Sequence, residues 1–137
     1  MDKIATRISA CFREAGYNCA ETTLQVLSEV FDQSLSTDVL YAAKGMNGAG
    51  RFRAQCGLVE GALMFLGIYC SLRNFDKTEI RNLCYDFAEQ FTHRFGSISC
   101  SVLRPQGFRD DLPPFLCEDL ANRSINFGIE FIKSKNI

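Results

Sequence analysis

Residues Gln55–Gly67 read QCGLVEGALMFLG. A cysteine opens the stretch, glycines follow at 57 and 61, and the chain stays almost wholly apolar to Cys70. The apolar residues fall on nearly every side of a helical wheel rather than on one stripe, the pattern of a helix enclosed by others. The spacing predicts a helix from about Gln55 to Ser71 at the centre of a bundle. Gly57 and Gly61 lie four residues apart, on one face beside Cys56. Each costs a helix about 1 kcal/mol relative to alanine. Glycines so placed allow close packing of a second backbone, or clearance for a ligand or loop next to the thiol.

Helical periodicity extends outward in both directions. Ile4, Ile8, Cys11 and Phe12 share one face of a first helix, which AGYN interrupts at Gly16. Asn18 is an N-cap for a second helix with an apolar stripe of Leu24, Leu27, Val30 and Phe31. STDVLYAAKG reads as a short helix capped by Ser36 or Thr37 and closed by Gly45. GMNGAGRFRAQ is a glycine-rich loop carrying Arg51 and Arg53. After the central helix, Asp76 and Glu79 in DKTE form a capping box. Ile80, Leu83, Cys84, Phe87 and Phe91 mark the face of a helix that Gly96 ends. One or two helical turns from about Ser99 stop at Pro105. Pro113 or Pro114 occupies the first turn of a last helix running to about Lys133. No alternating strand pattern occurs. The expected class is all-α, a compact irregular bundle of about five main helices.

A chain of 137 residues suits one domain, here residues 1–137. The net charge of −1 leaves no electrostatic footprint for nucleic acid or an anionic membrane. The opening MDKIATRISACFREAG lacks a signal-peptide apolar core, and no run of about 18 apolar residues could cross a membrane. The expected location is cytoplasmic, where disulfides are disfavoured and an odd set of seven cysteines serves as core filler, metal ligands or redox groups.

The cysteines sort by position. Cys11, Cys70 and Cys84 fall inside helices, where cysteine acts as a small hydrophobe. Cys19, Cys56, Cys100 and Cys117 fall at or near predicted helix starts. Unpaired N–H groups and the helix dipole there favour a thiolate and lower its pKa. The pattern alone admits either a metal or redox role or scattered structural thiols. No C-x-x-C and no C-x-x-C-H occurs, so a zinc ribbon, a thioredoxin-like motif and c-type haem are not expected.

Four blocks together resemble the redox-active protein family named for a C–GCAxxG–C–C cysteine pattern: EAGYNCAETTLQVL with Cys19, QCGLVEGALMFLG with Cys56, Gly57 and Gly61, FTHRFGSISCSVL with Cys100, and FLCEDLANRSINF with Cys117. They span about Glu14 to Phe127 in the family's order. Leu58 stands where the family usually has alanine, and GMNGAGRFRAQ is thinner in glycine than its counterpart. The family is also similar to a region of split-Soret cytochromes, whose haem motif this chain lacks.

The resemblance implies a small helical redox protein. Its implied cofactor is an iron–sulfur cluster ligated by Cys19, Cys56, Cys100 and Cys117, with electrons passing to an unidentified partner protein. Two alternatives stay open. One is a dithiol/disulfide oxidoreductase using two of the same four thiols. The other is a module braced by zinc, its function lying on a surface. A homodimer is compatible with so many apolar helix faces. His93, the single histidine, lies off the Phe87–Phe91 stripe and is expected to be exposed, which leaves a Cys–His pair dependent on geometry. KGMNGAG follows a helix rather than a strand, so its glycines suit a tight turn covering the thiols better than a phosphate loop. Arg51 and Arg53 are expected to be solvated, and Asp110 with Asp111 to form a polar turn.

Overall fold

A computed structural model describes residues 2–109, 111–112 and 116–137. Its α-helices are α1 (Lys3–Arg13), α2 (Cys19–Val30), α3 (Thr37–Ala42), α4 (Gly57–Ser71), α5 (Lys77–Phe95), α6 (Cys100–Leu103) and α7 (Glu118–Ser134). Five of these are long: α1, α2, α4, α5 and α7. The described residues contain no strand, only an isolated antiparallel bridge between Gln55 and Ser99. The class is all-α, as expected. No described helix is long and apolar enough to cross a membrane.

The local signals set the helix ends. Asn18 and Glu21 close a capping box on α2, as do Asp76 and Glu79 on α5. Gly96 ends α5 in the left-handed region at φ +90°. α4 begins at Gly57, so Cys56 is its N-cap rather than a first-turn residue. α7 begins at Glu118 and ends at Ser134. The expectation for Pro113 or Pro114 lies outside the described residues.

The centre is shared by two helices. α4 buries Leu58, Val59, Phe65, Leu66 and Cys70. α2, expected to be amphipathic, buries Ala20, Thr22, Thr23 and Val26 as well as Leu24 and Leu27. Val30 of the expected stripe is 36% exposed; it is the last residue of α2. The α2–α4 contact is the most extensive in the fold. α7 packs on α1 and α2. Phe87, Phe91 and Phe95 of α5 meet Phe127 and Phe131 of α7, with ring centroids 4.5 to 6.4 Å apart across the cluster.

The two glycines make the α2–α4 contact possible. A Cβ at Gly61 would lie 2.6 Å from the Ala20 carbonyl oxygen and 3.1 Å from Ala20 Cα. Backbone atoms cannot rotate away, so Gly61→Ala forces the helices apart. Overpacking costs about 1–3 kcal/mol, against a helix-propensity gain of about 1 kcal/mol. Urea unfolding of Gly61→Ala should therefore show a net loss of up to about 2 kcal/mol. Gly67 in the same helix has nothing within 4 Å of its Cβ position, so Gly67→Ala should gain up to about 1 kcal/mol. Equal effects at the two positions would refute the close-contact account.

Candidate functional site

The four cysteines singled out by position all stand where helices begin. Asn18 fixes the first. Its side-chain oxygen accepts from the Glu21 N–H at 2.8 Å, and its amide donates to the carbonyls of Ala43 and Lys44 at 3.1 and 2.9 Å. This ties the turn after α3 to the start of α2 and sets Cys19 as the first residue of α2. Cys56 and Cys117 are the N-cap residues of α4 and α7, and Cys100 is the first residue of α6.

The bridge at Gln55 and Ser99 joins two of these starts. The Cys56 N–H donates to the Ile98 carbonyl at 2.8 Å, and the Cys100 N–H to the Ala54 carbonyl at 2.7 Å. Side chains alternate across such a pair, so Cys56 and Cys100 project to the face opposite Gln55 and Ser99. Gly57 brings in the third thiol: a Cβ there would lie 3.0 Å from Cys19 Cβ and 2.9 Å from the Met46 carbonyl oxygen. All four cysteines border one cavity of about 150 Å³, with Tyr17, Asn47, Arg51, Arg104 and Phe108 also in its wall. Cys11 and Cys70 are buried in the core and Cys84 is half-buried, all away from this cavity.

The glycine-rich loop covers the thiols. Gly48, Ala49, Gly50 and Arg51 all have positive φ, between +57° and +71°, and form a left-handed turn. A Cβ on Gly48 would lie 3.2 Å from the Cys100 sulfur, so glycine lets this backbone rest on the thiol. Arg53 departs from the solvated role expected of it. One of its terminal nitrogens donates to the carbonyls of Ser101, Arg104 and Pro105 at 3.2, 3.3 and 3.3 Å, pinning the loop to the end of α6. Arg51 is exposed, as expected, but its guanidinium also lies over the Phe108 ring.

The residue that sequence reasoning missed is Arg104. It is 4% exposed. Its Nε donates to the Gly107 carbonyl at 2.8 Å, its Nη1 to the Cys117 sulfur at 3.5 Å, and its guanidinium lies 4.0 Å from the Phe108 ring centroid. None of the ion pairs among the described residues involves it. A buried cation needs a negative partner, and here the sulfur supplies one. The available signal was an arginine in SISCSVLRPQGF, a segment without a single acid.

The acidities correct a second expectation. The helix starts do not lower all four thiols. Cys19 is pushed well up, first because it donates a hydrogen bond to Cys117 and then by burial. Burial raises Cys56 to about 11 although the Leu58 and Val59 N–H groups point at its sulfur. Burial and the nearby Cys117 charge raise Cys100. Desolvation outweighs the dipole at Cys56 and Cys100, and at Cys19 it adds to the effect of Cys117. Cys117 alone falls, to about 6, through the hydrogen bond from Cys19 and then through Arg104.

Other expectations resolve simply. His93 is exposed in the last turn of α5 and does not border the cavity, so no Cys–His pair forms there. The glycines of KGMNGAG serve the left-handed turn. Asp111 pairs with Arg109 at 3.2 Å on the surface, and Asp110 lies outside the described residues. At pH 7 Cys117 should be the fastest thiol to react with iodoacetamide, read by peptide mass spectrometry on metal-free reduced protein. Its rate should fall about tenfold per pH unit below 6, as the thiolate gains its proton. Faster labelling of Cys56 or Cys100 would refute this order.

The family model described as "Putative redox-active protein (C_GCAxxG_C_C)" matches residues 17–130. No curated protein and no solved structure gave a significant match. The matched span takes in all four cavity cysteines and both helix-packing glycines. The chain belongs to the putative redox-active protein family defined by the C_GCAxxG_C_C pattern.

Proposed function

We propose that this protein is an electron carrier whose redox group is an iron–sulfur cluster held by Cys19, Cys56, Cys100 and Cys117. The observation behind this reading is that four thiols, from four helix starts far apart in sequence, border one cavity beside a buried guanidinium that no described carboxylate balances. The donor set fits: four sulfurs complete a Cys₄ site. When bound, such a cluster takes up and releases one electron at a time.

The chain's own residues prepare the place. The Leu58 and Val59 N–H groups at the start of α4 pull the Cys56 thiol toward its thiolate form, and Arg104 donates to the Cys117 sulfur. Gly57 and Gly48 admit Cys19 and Cys100 without steric conflict. The covering loop rests on the Cys100 sulfur.

A second reading is favoured by the pairing of Cys19 and Cys117 on one cavity, where each shifts the other, Cys19 upward and Cys117 downward. In this reading the Cys117 thiolate attacks a substrate disulfide and expels one thiol. Cys19 then attacks the Cys117 sulfur and expels the second, leaving a Cys19–Cys117 disulfide and two reduced thiols, one external proton having been taken up.

The separating experiment is a visible spectrum of anaerobically purified protein, with iron, acid-labile sulfide and zinc measured on the same sample. The expected result is a brown protein containing iron and sulfide, with both lost in Cys56→Ser. A colourless, metal-free protein that converts Cys19 and Cys117 to a disulfide with oxidised glutathione would overturn the carrier in favour of the dithiol. Zinc without iron would overturn both.

A further inference from the structure

We propose that Arg104 is a positioning residue that sets the reduction potential of the cysteine site, holding it higher than the four sulfurs alone would. The inference rests on the cavity being a redox site, but not on which redox group it uses.

The segment RPQG is built to aim this side chain. The Gly107 N–H donates to the Arg104 carbonyl at 3.1 Å, closing a turn, and Gly107 takes φ +73° to complete it. The turn places the Gly107 carbonyl where Arg104 Nε donates to it at 2.8 Å. Phe108 follows and lies against the guanidinium. From the other side Arg53 holds the Arg104 carbonyl. One edge of the fork is thus occupied, and Nη1 is left directed at the Cys117 sulfur at 3.5 Å. Such a fixed, two-sided arrangement suits arginine and not lysine, which has no planar fork.

The guanidinium lies inside the fold with no described carboxylate to neutralise it, so its field acts on the sulfurs at low dielectric. Both possible redox groups gain negative charge when reduced. A cluster gains one electron. A Cys19–Cys117 disulfide gains two electrons and one proton, giving a thiol on Cys19 and a thiolate on Cys117. A fixed positive charge at Cys117 stabilises the reduced form in each case, so the potential shifts in the same direction.

The test uses Arg104→Met, which keeps length and removes charge, and Arg104→Lys, which keeps charge but not the fork. Anaerobically purified holoprotein is titrated potentiometrically with the visible absorbance as readout. If the wild type takes up no cluster, metal-free protein is equilibrated in reduced and oxidised glutathione, and the Cys19–Cys117 disulfide is counted by mass. Arg104→Met should need a more reducing poise, at least tenfold in the equilibrium constant, which is about 59 mV for one electron. Arg104→Lys should fall between it and the wild type. Thermal melts of both variants establish that they fold, and if Arg104→Met does not, Arg104→Gln takes its place. A folded uncharged variant with the wild-type midpoint refutes the role of Arg104 alone. A wild type that forms neither cluster nor disulfide refutes the redox reading and this role with it.

Discussion

Two helix backbones touch where Gly57 and Gly61 of α4 face Ala20 of α2, and the site is assembled around that contact. A Cβ at either glycine would meet α2 or Met46 backbone at 3.1 Å or less, so the distance between the helices is set by the absence of side chains. Because Gly57 follows Cys56 and faces Cys19, the same contact puts two thiols at one level of the bundle. The bridge from Gln55 to Ser99 then adds Cys100. The phenylalanine cluster between α5 and α7, with the 2.8 Å ion pair of Arg13 and Glu118, sets the start of α7 and with it Cys117. The glycine beside the thiol is therefore a packing device with a chemical result.

Helix starts and burial pull the thiols in opposite directions; burial wins at Cys56 and Cys100, and at Cys19 it adds to the rise that Cys117 causes. An N-terminal dipole contributes about 0.3–1 kcal/mol at exposed positions, whereas removing a thiolate from water costs several times that without a specific partner. Cys117 escapes because it has two partners, a thiol and a guanidinium. The thiol form is thus favoured at Cys19, Cys56 and Cys100 and the thiolate at Cys117. Any group that binds all four as thiolates must displace the protons of Cys19, Cys56 and Cys100, which couples loading to pH.

Much of the architecture was legible because it depends on local rules. The Asn18 cap, the Asp76 box, the Gly96 terminus and the all-round apolar run of α4 are short-range signals, and the structure follows each. The enclosure of α2 was not legible, because Thr22 and Thr23 are polar by type yet fully buried. The four cavity cysteines were readable from their places at helix starts. Their acidities were not, since desolvation depends on what the other helices cover. Arg104 was invisible for the same reason: an arginine next to a proline reads as surface until the turn folds its side chain inward.

The strain in the covering loop is the remaining clue to how the site is held. Ala49, Arg51 and Arg53 all have positive φ, a conformation that costs an L-residue about 1–2 kcal/mol each. A free loop would relax. This one is held on its N-terminal side by Asn18, which donates to the Ala43 and Lys44 carbonyls, and at its end by Arg53 across three carbonyls and by the hydrogen bonds of the bridge. Its first glycine rests on the Cys100 sulfur. The cost is concentrated against a thiol and a buried guanidinium rather than spread over the surface, as expected where backbone strain serves a site. The interactions that hold the loop closed are the same ones that fix the Arg104 carbonyl and the Cys100 amide, so opening the cover would also loosen the groups that tune the sulfurs beneath it.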